Sequence, residues 1–233
     1  MRTLIICILC ITNIIVFTSC GNSSGNNVAT QKEENIEAAE QDSLQGITIG
    51  KQTWANKNLA VRSFKNGDTI RQAITDEDWQ KCANEKIPAW CYYKNDPSNN
   101  KVYGKLYNWY AINDARGLAP EGWHIATAEE WQTLEDQLPD SAGWKLKHTI
   151  GWEEEAGLNT TGFGAVGGGL RQPEGLFLYL NGLGLWWTTN EKDSLRAIDI
   201  TMPRSTSLGL APDESSKGYG YAVRCIKNTA AVK

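Results

Sequence analysis

Short runs of bulky apolar residues recur from Gly46 onward, separated by Gly, Pro and Asn, and their spacing predicts the elements. In Trp123-His124-Ile125 the bulky residues alternate, so Trp123 and Ile125 share one face of a predicted strand and His124 takes the other. Thr127 and Glu130 then form a capping box, hydroxyl and carboxylate satisfying orphan amides. This predicts a helix over 128–138 with Trp131, Leu134 and Leu138 inward. Thr75 with Asp78 starts a second predicted helix, through Trp79 to Asn84. Between them, 104–114 packs Leu106, Tyr107, Trp109, Tyr110 and Ile112 densely and without strict alternation, which predicts a short, mostly buried helix. Gly117, Pro120 and Gly122 stop it.

The remaining pattern is β-like. Residues 46–49 and 52–54 flank Gly50-Lys51 as a hairpin, Asn66-Gly67 marks a turn, and 88–93 reads as extended. A strand or short turn is expected at 143–147, and short strands within 162–171, 185–191, 195–201 and 219–226. Few helices and many short strands without βαβ alternation indicate an α+β fold. The roughly 185 residues from Gly46 suit a single core.

Residues 1–19 differ in kind: Arg2 precedes a long apolar run, the pattern of a secretory signal. Val16-Phe17-Thr18-Ser19-Cys20-Gly21 resembles a bacterial lipobox, which makes Cys20 the expected lipidation site and the membrane a partner through acyl chains. Residues 20–45, rich in Ser, Asn, Gln and Glu and without aromatics, read as a lipidated flexible tether.

Composition narrows the chemistry. A net charge of −4 without a Lys/Arg cluster excludes a nucleic-acid surface. Two histidines leave no His-rich metal site; His124 reads as a hydrogen-bonded structural residue and His148 as surface. Glu129-Glu130 and Asp76 with Asp78 sit in first helical turns, where acidic side chains favour the helix dipole. No cofactor is expected, although the oxygen-rich residues 95–100 form a candidate Ca²⁺ loop, with Asx turns as the simpler explanation. Gly167-Gly168-Gly169 lacks a phosphate-loop ending and is expected to let backbone approach a Trp ring. Trp186 and Trp187, being adjacent in a strand, are expected to face opposite ways, one outward; with Asn190 and Glu191 they are the candidate ligand-binding residues. Past Cys20 the domain holds Cys82, Cys91 and Cys225, an odd number that leaves one thiol after one pairing.

The ordered segments AWCYYKNDPSNN (89–100), YGKLYNWYAIND (103–114), GLAPEGWHIATAEEW (117–131), GFGAVGGGLR (162–171), WWTTNE (186–191) and GYAVRCI (220–226) resemble the Fibrobacter succinogenes major paralogous domain, found in secreted and lipid-anchored bacterial proteins. That resemblance implies a domain over 46–228, a tail at 229–233, and a C-type-lectin-like architecture similar to formylglycine-generating, sulfatase-modifying proteins. It implies two or three helices, a small antiparallel sheet and long Gly/Trp-rich loops. It also favours a Cys91–Cys225 disulfide, both residues lying in family segments, with Cys82–Cys91 as the rival pairing.

The expected function is a non-catalytic, lipid-anchored envelope module, placed at the outer membrane and contacting glycan or protein through its loops. The alternatives are a thiol enzyme related to formylglycine-generating proteins and a purely structural envelope component.

Overall fold

In a computed structural model, the chain is described over residues 44–138, 142–205 and 209–229, all within the unit Glu37–Lys233. The expected signal, Cys20, the tether up to residue 43 and residues 230–233 lie outside the described residues. The described helices are α1 (Asp76–Asn84), α2 (Asn100–Tyr103), α3 (Trp109–Ile112), α4 (Ala128–Asp136) and α5 (Ala142–Leu146). The strands are β1 (Gly46–Ile49), β2 (Gln52–Ala55), β3 (Arg71–Gln72), β4 (Ala89–Cys91), β5 (Leu106–Tyr107), β6 (Trp123–Ile125), β7 (Gly168–Arg171), β8 (Phe177–Leu180), β9 (Leu183–Glu191), β10 (Arg196–Pro203), β11 (Ala211–Ser216) and β12 (Cys225–Lys227). The class is α+β, but the strands form four sheets instead of one, and β3 pairs with β4 in parallel.

The β1–β2 hairpin forms in the expected register, Ile49 opposite Gln52. β2 then meets β12, and β12 meets β6, so both ends of the described domain close in one sheet ordered β1-β2-β12-β6. In β6, Trp123 and Ile125 are buried and His124 lies half-buried on the other face. The α4 capping box is complete: Thr127 Oγ1 accepts from Glu130 N at 3.2 Å, and Glu130 Oε2 accepts from Thr127 N at 2.9 Å. Thr75 Oγ1 caps α1 through Asp78 N at 3.1 Å. Two-bond caps of this kind satisfy amides that packing alone would leave orphaned.

Residues 104–114 are not one helix. Asn108 splits them into β5 and α3, because its side chain does three jobs in the core. Oδ1 accepts from Ala111 N at 3.2 Å, capping α3, and from Ala89 N at 3.0 Å, holding β4; Nδ2 donates to Ile87 O at 2.8 Å. Dense apolar spacing alone carried no sign of this hub. Residues 142–146 are helical, not a strand or turn. β8 and β11 are further differences: β11 reads Ala-Pro-Asp-Glu-Ser-Ser, almost wholly exposed, so no apolar period announces it. Its Pro and charges suit an edge strand that must resist further pairing.

β9 is the wall between the two largest clusters of buried side chains. Trp186 joins Trp54, Trp131 and Phe163 on one face, and Trp187 joins Tyr107 and Tyr221 on the other. A third cluster, with Trp79, Cys82, Cys91 and Leu106, lies under α1. Burying a Trp ring removes ~150–250 Å² from water, worth up to about 4–6 kcal/mol.

Candidate functional site

The segment 186–191 is structural. Neither Trp186 nor Trp187 has an outward ring: both are 0% exposed, because the sheet is covered on both faces. Their indole N–H groups are also used. Trp186 donates to Asn58 Oδ1 and Trp187 to Tyr107 O, each at 2.9 Å. Asn190 Oδ1 accepts from Ala128 N at 2.8 Å, adding a second tie at the start of α4, and its amide donates to the Glu129 carboxylate. Glu191 pairs with Lys217. The expected stacking surface is therefore a seam joining β9 to α4 and to the chain after β11.

Lys217 belongs to a group that the sequence reading missed. Lys105, Lys147, Arg171, Lys217 and Arg224 are buried, and each sits over an aromatic ring and donates to backbone carbonyl oxygen. Arg171 lies 4.9 Å from Trp79 and 4.6 Å from Phe177, donates to Ala73 O at 2.7 Å, and reaches Asp76 at 3.0 Å. Arg224 lies 4.4 Å from Phe163 and donates to Ala55 O and Phe163 O. Lys147 lies 4.2 Å from the Trp152 ring and donates to Arg204 O; desolvation pushes its ammonium down to about 8. Carbonyls and ring faces replace the water these cations lose. The legible signal was a cation embedded among aromatic residues, as Lys105 is in YGKLYNWY.

The thiols do not pair. Cys82, Cys91 and Cys225 are all free and buried; Cys91 and Cys225 occupy different clusters, and Cys82 is unpaired although it shares the cluster of Cys91. Desolvation pushes Cys91 and Cys225 up to about 12, so neither supplies thiolate near neutrality. His124 bonds Asn228 at 2.7 Å and Glu130 at 2.8 Å, a structural clasp. His148 is half-buried and accepts from Ile150 N at 3.1 Å.

In the candidate Ca²⁺ loop Asp96 caps a turn, accepting from Ser98 N at 2.9 Å, while the buried Oδ1 atoms of Asn95 and Asn100 have no hydrogen-bond partner among the described residues. Asn99 Nδ2 donates to Tyr93 O, also at 2.9 Å. Nor do the three glycines face a Trp ring. A Cβ at Gly169 would come within 2.4 Å of Leu178 O, so the close approach is of the β8 backbone to β7.

That approach leads to the candidate site. Between Leu178 and Leu180, which pair with Leu170 and Gly168, stands Tyr179, at φ +61° and 56% exposed. A bulky residue in the left-handed region is strained, and such outliers concentrate at functional sites. Tyr179 borders an open groove of about 690 Å³ with Tyr93, Lys94, Glu153, Asn181 and Arg204. Of the six described non-Gly residues at positive φ, three (Lys94, Tyr179 and Asn181) line this groove.

The turn is braced. Asn181 N donates to Gly167 O at 2.6 Å, Asn181 O accepts from Glu153 N at 3.0 Å, and Tyr103 Oη donates to Asn181 Oδ1 at 2.6 Å. From below, Lys147 holds the carbonyl of Arg204. Burial raises the Tyr93 phenol, which the backbone of Leu180 tempers and nearby Glu153 reinforces. An aromatic rim with an ammonium, a guanidinium, a carboxylate and an amide on braced backbone can hold a polar ligand of several rings. The volume falls in the range of ligand sites. A second cavity, beside Leu59, Val61 and Val102, offers about 80 Å³, room for little beyond water. Among the described residues no group of three or more His, Cys, Asp or Glu could hold a metal ion.

Fold and groove together define a small α+β domain shaped by buried aromatics and cations, with a preformed polar groove at a strained hairpin. The chain belongs to the Fibrobacter succinogenes major domain family, whose model matches residues 47–227. No curated protein and no solved structure matches it.

Proposed function

We propose that this chain is a non-catalytic glycan-binding module of the bacterial cell envelope, C-type-lectin-like in architecture, carried on a tether lipidated at Cys20 and held at the outer membrane. The observation that carries the binding reading is Tyr179: an exposed ring kept on strained backbone at the rim of a groove whose polar groups lie beside it. Evolution retains strain of ~1–3 kcal/mol where a side chain must be presented in one direction. Sugar rings offer an apolar face for such a ring and hydroxyls for Asn181 and Glu153. The anchor reading rests on the apolar run of 1–19 and the lipobox-like residues ending at Cys20. Burial of all three domain thiols supports a binding role over a thiol enzyme.

A glycan array comparing the chain with its Tyr179→Ala variant tests the proposal. Binding to a defined set of glycans that disappears in the variant is expected. An empty array, with an envelope protein retained instead through the same groove, would move the reading to protein recognition.

A further inference from the structure

Resting on the glycan-binding reading, we infer that the groove selects saccharides carrying a carboxylate, the uronic-acid class, with the sugar ring against Tyr179 and the carboxylate between Lys94 and Arg204. Lys94 is exposed on the groove wall at φ +52°, and no ion pair engages it among the described residues. A lysine fixed in left-handed backbone without a carboxylate partner is a charge placed for something else.

Arg204 is held differently. Its carbonyl is fastened by buried Lys147, while its guanidinium meets Glu154 at 2.9 Å in a pair with both side chains 57% exposed. Exposed pairs of this kind contribute little, so a ligand carboxylate displaces or shares Glu154 at small cost, and the planar guanidinium suits bidentate contact. Against these two cationic donors stand Glu153, the lining carboxylate, which accepts hydrogen bonds from hydroxyls, and Glu154, whose exposed pair with Arg204 the ligand's acid group replaces. Aromatic face, hydroxyl acceptor and two lining cations together describe an acidic sugar more closely than a neutral one.

The test is isothermal titration of the full chain with oligogalacturonate and with a neutral galactose oligomer of equal length. The acidic oligomer is expected to bind roughly tenfold tighter at low salt, with the preference collapsing near 1 M salt, where the screening length is about 3 Å. Lys94→Gln and Arg204→Gln are each expected to remove most of that preference without lowering the thermal midpoint, since both side chains are exposed. Tyr179→Ala is expected to abolish binding of both oligomers. Equal binding of the two oligomers, still lost in Tyr179→Ala, would overturn the acidic class and leave the glycan reading standing. Failure of both oligomers, across all variants, would overturn the two together.

Discussion

The two ends of the segment that runs through β8 and β9 contain the same kinds of residue and do opposite things. At one end Trp186, Trp187, Asn190 and Glu191 look like a ligand platform, yet both rings are enclosed and the polar groups are spent on Asn58, Tyr107, α4 and Lys217. At the other end Tyr179 is exposed, strained and shares a groove with Lys94, which has no ion-pair partner among the described residues. A conspicuous aromatic motif marked the core, and an inconspicuous tyrosine marks the surface. The difference teaches that satisfied polar atoms identify structural aromatics, while backbone strain with exposure identifies presented ones.

Trp186→Ala should break the comparison most strongly. It removes a fully buried ring from contact with Trp131 at 5.4 Å, and a loss of about 3–5 kcal/mol is expected in chemical denaturation. A loss of ligand binding without any loss of stability would return this end to the ligand role.

Asp199 probes the same end from the neighbouring strand. It lies opposite Trp187 on β9 and Asp213 on β11, is almost fully buried, and has Oδ1 without a hydrogen-bond partner among the described residues. Burial, with the Asp213 charge adding to it and the Ser215 and Thr201 hydroxyls opposing, pushes its carboxyl up from 3.8 to about 6. A raised carboxyl favours folding fully below the unfolded value and loses that contribution as pH climbs through about 6. Asp199→Asn, whose amide can donate toward Asp213, should therefore exceed the parent by about 3 kcal/mol at pH 7 and match it near pH 3.5. Thermal melts across that range check the sign.

Smaller effects sharpen the contrast. Tyr179→Gly should raise stability by about 1 kcal/mol by relieving strain, while glycan binding is lost, the reverse of the Trp186 outcome. Glu191→Gln should cost less than about 1 kcal/mol, since the carboxylate is half-exposed and Lys217 keeps the Asp193 carbonyl at 2.7 Å and the Trp109 ring at 4.6 Å.

Much of the fold was legible where the signal is local. Thr75 with Asp78 and Thr127 with Glu130 announced both nine-residue helices, because a cap is made by residues three apart. The alternation at 123–125 and the two-residue turn at 50–51 announced strands and register for the same reason. The site was not legible: Tyr179 is an ordinary residue in sequence, and its positive φ occurs where the β8 backbone closes on Gly169 of another strand.

By itself, then, the amino-acid order determined the class of the fold, the caps and hairpin, and membership in a family through segments spread over 47–227. Only the tertiary structure decided that adjacent tryptophans would both be interior, that three cysteines would be left unpaired, and that five buried cations would lie on ring faces among the described residues. Caps and turns depend on neighbours along the chain, whereas burial depends on which strands close over a face. Leu183–Glu191 became a two-sided wall only because Trp131 and Tyr221, from distant segments, cover its opposite sides.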